Sequence, residues 1–158
     1  MRHLILLCFV LLNTFAAFGK QPGSPFVVEH IGLKDGLSNN FVSDIAQDKH
    51  GFIWIATDGG LNRFDGENFK VFSEKNTELK GNSVNALFYD ARTDRLWVGS
   101  KKGLNVLDCK SQKFLSVSLP PDIKSPNIVD VSQASDGGIY VLNHYDFLLH
   151  YDIVKELS

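Results

Sequence analysis

The side chains of this sequence that could do chemistry are polar loop residues. Asn39, Asn40, Asp58, Asn82, Lys101, Lys102, Asn143 and Tyr145 stand in short polar stretches between apolar runs. Amides, carboxylates, ammonium groups and a phenol so placed can hydrogen-bond a polyhydroxylated ligand such as a sugar, although any solvated loop has a similar composition. Asp48, Asp65, Asp90 and Asp108 fall where hairpin turns are expected. A short carboxylate accepting backbone N–H bonds accounts for them there, with catalysis as the alternative. The acids Glu29, Asp44 and Glu67 are scattered over strands and outer turns. Glycan hydrolysis would require two carboxylates converging to about 5–10 Å. His30, His50, His144 and His150 lack the close spacing of a zinc site, and Cys8 and Cys109 are the only cysteines. Gly59-Gly60 and Gly137-Gly138 precede no helical pattern, so no phosphate loop is indicated. No metal, cofactor or catalytic residue is expected.

Those loops need elements to hold them, and the composition bounds which. The 158 residues are 44% hydrophobic and 22% charged, which suits one folded domain and argues against disorder or coiled coil. Lys plus Arg is 16 against 18 Asp plus Glu, leaving no basic excess for a nucleic acid partner. At the N-terminus, Met1-Arg2-His3 precedes an apolar run from Leu4 to Leu12, and Ala17-Phe18-Gly19 follows. This pattern predicts a secretory signal peptide over residues 1–19 and export to the periplasm. The run falls short of the roughly 20 residues that span a bilayer, so no membrane contact is expected after cleavage.

The rest is organised by an internal repeat. Trp54, Trp97 and Tyr140 lie at successive intervals of 43 residues. Gly60-Leu61-Asn62 and Gly103-Leu104-Asn105 are 43 apart as well, as are Asp65 and Asp108. Three anchors at one period indicate repeated supersecondary units. Within the first period, apolar runs cover residues 42–47, 52–57, 61–64 and 69–72, separated by Asp/Gly/Asn turns. Runs of that length, rich in β-branched and aromatic residues, read as strands. Four strands per 43 residues is the arithmetic of a β-propeller blade.

The expected fold is therefore all-β, an incomplete propeller of about two and a half four-stranded blades. Residues 20–40 form an extended strand, from Phe26 to Ile31, and a lead-in. Blades follow at 41–80, 81–124 and 125–158, the last lacking its outer strand. Trp54, Trp97, Tyr140, Gly60, Gly103, Leu61 and Leu104 are assigned structural roles because each recurs at the period. The tryptophans are expected to pack between blades, with a sugar-stacking face as the alternative. Loops joining the second strand to the third, or one blade to the next, are expected to share one rim.

The blocks from Asp48 to Asn62 and from Asp90 to Asn105 resemble the two-component regulator propeller repeat. Each reads Asp, turn residues, apolar, Trp, apolar, small, Ser/Thr, then Gly-Leu-Asn. The lead-in Gly36-Leu37-Ser38-Asn39-Asn40 is similar to the opening of the periplasmic sensor region of hybrid two-component histidine kinases. The resemblance spans about residues 26–152 and implies a periplasmic sensor that recognises glycan fragments and signals to a kinase inside the cell. The sequence itself carries no kinase ATP site, receiver, transmembrane helix or DNA-binding module. Two other readings stand beside it: a secreted propeller enzyme acting on glycans, and a lectin-like module that self-associates. Two and a half blades would leave two apolar faces uncovered, so a chain that is marginal alone, or that associates with itself, is expected.

Overall fold

The β-branched and aromatic runs form strands in the computed structural model, which describes residues 27–115, 117–121, 126–145 and 148–151. The signal peptide reading, Phe26 and the end of the third blade lie outside those residues. Two units are distinguished, Met1–His30 and Ile31–Ser158. In the first, Val27 to His30 are exposed and join no strand. The second opens with a single 3-10 turn, Leu33–Asp35, closed by Gly36.

Three antiparallel sheets follow in chain order. The first comprises β1 (Val42–Gln47), β2 (Ile53–Thr57), β3 (Gly60–Phe64) and β4 (Phe69–Phe72). The second comprises β5 (Val84–Asp90), β6 (Arg95–Ser100), β7 (Gly103–Asp108) and β8 (Lys113–Leu115). The third comprises β9 (Ile128–Gln133), β10 (Ile139–Asn143) and β11 (Leu148–Tyr151). Each strand pairs with its sequence neighbour, which is the meander of a propeller blade. The runs read from sequence in the first period match β1 to β4 to within one residue. Val27 to Ile31, read from sequence as an extended strand, pairs with no sheet among the described residues.

The sheets pack through their leading strands, β1 against β5 and β5 against β9. Between the first two lies a core of Trp54, Ala56, Leu61, Phe72, Leu87, Leu96, Val98, Leu107 and Cys109. Between the second and third lies another, built on Ala86, Trp97, Leu104, Val106, Ile128, Val131, Ile139 and Val141. The alternation along β6 explains how both are filled: Leu96 and Val98 enter the first core while Trp97 enters the second. A strand covered on both faces reads as a continuous apolar run, and β6 is buried from Leu96 to Ser100. On β1 the outward alternation leaves Val42 and Ile45 exposed. Tyr140 is only half-buried and its ring lies against His150, with centroids 4.7 Å apart.

The turns hold the period. Asp48 Oδ1 accepts the N–H groups of His50 (2.9 Å) and Phe52 (3.1 Å), and Oδ2 accepts Trp54 Nε1 at 2.8 Å. Gly60 and Gly103 open β3 and β7 with φ of 138° and 144°. A Cβ on Gly60 would also lie 2.5 Å from the carbonyl oxygen of Phe72. Both the left-handed backbone and the contact require glycine at this point of the repeat.

Candidate functional site

Because each blade is an antiparallel meander, the β2–β3 turn and the connector to the next blade emerge on the same edge. That edge gathers the polar residues singled out from sequence into two clusters. In the first, Asp58 accepts a hydrogen bond from the Ser83 hydroxyl and an ion pair from Lys101 Nζ at 3.6 Å. In the second, Lys102 Nζ donates to both carboxylate oxygens of Glu74, at 3.0 and 2.8 Å. Glu74 and Asn82 also bind reciprocally: Asn82 N–H donates to Glu74 Oε1 (3.0 Å) and Glu74 N–H to Asn82 Oδ1 (2.8 Å). Residues from the β2–β3 turn, the connector and the β6–β7 turn thus form one continuous polar rim.

The remaining candidates are placed separately. Asn39 Oδ1 accepts the N–H of Phe41 at 2.8 Å, and Asn40 is exposed. Asn143 is buried, its Oδ1 accepting the Tyr145 N–H at 2.7 Å. Tyr145 is exposed, with its ring edge-on to His144 at 5.1 Å. Asn143 and Tyr145 stand at the equivalent edge of the third sheet, where Thr57 and Ser100 end β2 and β6.

Hydrogen bonding holds both rim carboxylates in the ionised form. The Ser83 hydroxyl, ahead of Lys101, keeps Asp58 below the ordinary carboxylate range, and Lys102 does the same for Glu74. The sign follows from linkage: a lowered folded-state pKa stabilises the fold above the ordinary value, and that contribution is lost as pH falls through the lowered one. Both groups are solvent-exposed, so the effect is screened and small.

Sequence reasoning missed the residues that position this rim. Asn62 and Asn105 were visible as landmarks of the Gly-Leu-Asn motif, but their work is to clamp the incoming chain. Asn62 Oδ1 accepts the Ser38 N–H at 2.9 Å, and Asn105 Oδ1 accepts the Lys80 N–H at 3.0 Å. Asn105 Nδ2 completes the clamp by donating to the Glu78 carbonyl at 3.1 Å. Asn105→Ala is expected to destabilise the chain by about 1–3 kcal/mol, because the part-buried Lys80 N–H loses its acceptor and the Glu78 carbonyl its donor. Thermal melting checks the magnitude. Amide exchange at Lys80 should accelerate beyond the global change, and unaltered exchange there would contradict the clamp.

Beside this clamp is a cavity of about 250 Å³ lined by Glu78, Lys80, Asn105, Phe114 and Leu115. Lys80 Nζ donates to the carbonyl of Val117 at 2.7 Å, and burial pulls its pKa below the usual lysine value. The volume is near the lower limit for a small-molecule site. Its mixture of an aromatic ring with one acid and one base adds a concave element to the rim. Among the described residues no cluster of three His, Cys, Asp or Glu side chains could hold a metal ion. Asp44 and Glu67 do not converge as a catalytic pair: Asp44 binds backbone at the first blade seam, and Glu67 is exposed in the β3–β4 turn.

With this geometry in view, the comparisons with known proteins are specific. The family model described as two component regulator propeller matches residues 36–59, from the lead-in to the β2–β3 turn. Histidine kinase P4 of Formosa agariphila is 40% identical over 72 residues, 46% of this chain and 5% of that protein. The extracellular domain of a protein described as a hybrid two component system of B. thetaiotaomicron superposes with a TM-score of 0.73 at 29% identity. That match covers 83% of this chain and 19% of the other. The extracellular domain of a protein described as a one component system from the same organism shares the fold, with a TM-score of 0.62 at 21% identity over 75% of this chain and 18% of the other. The chain therefore spans a small fraction of each of these proteins. No helix among the described residues is long and apolar enough to cross a membrane.

Proposed function

From a chain that carries the two component regulator propeller repeat, we propose a sensor role: part of a periplasmic propeller that binds carbohydrate and relays the event to a histidine kinase. The observation that carries this reading is the likeness, along 83% of the chain, to the extracellular domain of a hybrid two component system. A propeller edge with several hydrogen-bonding groups on rigid strands suits recognition of a hydroxyl-rich ligand. Asp58, Lys101, Lys102, Asn82, Asn39 and Asn40 would supply donors and acceptors from the first two blades, and Tyr145 from the third, its N–H held by the buried Asn143. The role is non-catalytic in this reading, and kinase chemistry belongs to a separate module.

Titration calorimetry against a panel of neutral and uronic-acid oligosaccharides tests it. At least one member is expected to bind, with Lys101→Ala and Tyr145→Ala each weakening that ligand by about tenfold or more. Binding unchanged by either substitution would remove the rim from the site. Release of reducing ends from any member would replace the sensor with the enzyme reading.

A further inference from the structure

The repeat presents the same place twice, filled in the first blade and hollow in the second. Asn62 and Asn105 each clamp an incoming backbone N–H, so the residues they hold, Ser38 and Lys80, are structural equivalents. Gly36 and Glu78 stand two residues before them. Phe69 and Phe114 are equivalents as well, because they pair with Phe64 and Leu107, which lie 43 residues apart. In the first blade Gly36 rests on Phe69: a Cβ there would lie 3.3 Å from Phe69 Cβ and 3.4 Å from its Cδ2. In the second blade the cavity of about 250 Å³ lies at this point, between Glu78, Lys80, Asn105, Phe114 and Leu115. The outer strands differ in the same way. Phe72 ends β4 paired with Leu61, and its carbonyl lies over Gly60. At the equivalent point Val117 belongs to no strand, and its carbonyl takes the Lys80 ammonium instead. Since the first blade closes without such a hollow, the fold does not require one.

The two charged walls of the cavity are held in place. Asn105 Nδ2 donates to the Glu78 carbonyl at 3.1 Å, and Oδ1 accepts the Lys80 N–H at 3.0 Å. The Lys80 stem passes over Gly103, where a Cβ would meet its Cδ at 3.1 Å, and Nζ donates to the Val117 carbonyl at 2.7 Å. That bond uses one of the three ammonium hydrogens. The Glu78 carboxylate makes no ion pair or hydrogen bond among the described residues. We propose that this cavity binds a free α-amino acid with an apolar side chain, its carboxylate on Lys80 Nζ, its ammonium on the Glu78 carboxylate and its side chain against Phe114 and Leu115. Charges of opposite sign that line one small space without pairing call for a ligand that carries both. A neutral sugar would take water from two ions and return only hydroxyls. An acidic sugar would set a second carboxylate beside Glu78, and like charges so juxtaposed oppose binding. The volume falls below the range of about 300–1,000 Å³ for drug-sized ligands, which suits a molecule of amino-acid size. Phe114 and Leu115 are half-buried, so part of each remains to cover an apolar side chain. The inference rests on the cavity and is independent of the carbohydrate reading.

Titration calorimetry of the chain with L-leucine, L-methionine and L-phenylalanine tests it. At least one is expected to bind. Its N-acetyl and amide derivatives, each lacking one of the two charges, should bind about tenfold more weakly or worse. Glu78→Gln should weaken the amino acid by about tenfold or more, and Lys80→Met, which keeps a stem over Gly103, should do the same. Lys80→Met also leaves the Val117 carbonyl without its donor. Circular dichroism therefore checks the folding of both variants, and Glu78→Gln, a change at one exposed side chain, decides if the other melts early. No binding by any of the three amino acids, equal binding of the derivatives, or an affinity unchanged by Glu78→Gln would overturn the proposal. So would a neutral monosaccharide that binds more tightly than any amino acid and is lost in both cavity variants, which would make the cavity a sugar site.

Discussion

Trp54→Phe is expected to destabilise the chain by about 1–3 kcal/mol more than Trp97→Phe. Both indoles are fully buried and occupy equivalent places in neighbouring blades, so the packing lost is alike. Their ring nitrogens are not alike. Trp54 Nε1 donates to Asp48 Oδ2 at 2.8 Å, and both partners are buried. Phenylalanine there strands a carboxylate oxygen out of water. Trp97 Nε1 is buried without any partner among the described residues, so its removal deletes a donor that was never satisfied. The difference comes from one extra residue in the β5–β6 turn. Asp90 is engaged instead by Arg92 N–H at 3.0 Å and the Thr93 hydroxyl at 2.9 Å, and Asp94 takes a left-handed backbone with φ of 57°. Urea denaturation of the two variants measures the difference, and equal costs would refute the account.

Gly99→Val should break the seam between the second and third sheets without unfolding the first. A Cβ on Gly99 would lie 2.6 Å from Ile128 Cγ2 and 3.1 Å from Ile128 Cβ, across the seam. Ile128 is fully buried and fixed by its pairing with Asn143. Overpacking of this kind costs about 1–3 kcal/mol, and valine adds a Cβ and two methyl groups to a space that rejects the Cβ alone. Repeat architectures localise such damage, since each unit touches only its neighbours. Amide exchange should therefore lose protection across β9 and β10 while β1 to β4 keep theirs. Uniform loss over all three sheets, or no loss, would contradict a separable seam. Ala56 holds the equivalent place in β2, so the glycine answers to the bulk of Ile128 and not to the repeat.

How much of the site was legible varies with how local its cause is. Asp58, Asn82, Lys101 and Lys102 were readable as loop residues of one rim, because strand alternation decides on which edge a turn emerges. Their division into two clusters was not readable, since Ser83 and Glu74 carried no motif of their own. Asn62 and Asn105 had a signal, recurrence at the period, but recurrence marks a fold requirement without saying which atom it serves. Residues 26–31 were read as an extended strand, and an extended segment becomes a strand only where a neighbour completes its hydrogen bonds. Val27 to Ile31 take part in no strand.

By itself the amino-acid order determined the 43-residue period, the strand runs, the turn aspartates and the glycines of positive φ. These depend on the conformations of a few adjacent residues and on which side chains alternate toward a core. Tertiary structure alone decided that Asp44 serves two blades, that the Trp97 N–H has no partner among the described residues and that Lys102 meets Glu74. Asp44 and Leu87 are 43 residues apart in the chain and 2.7 Å apart in space. The angle and register at which one sheet settles on the next bring such atoms together, and spacing along the chain does not encode either quantity.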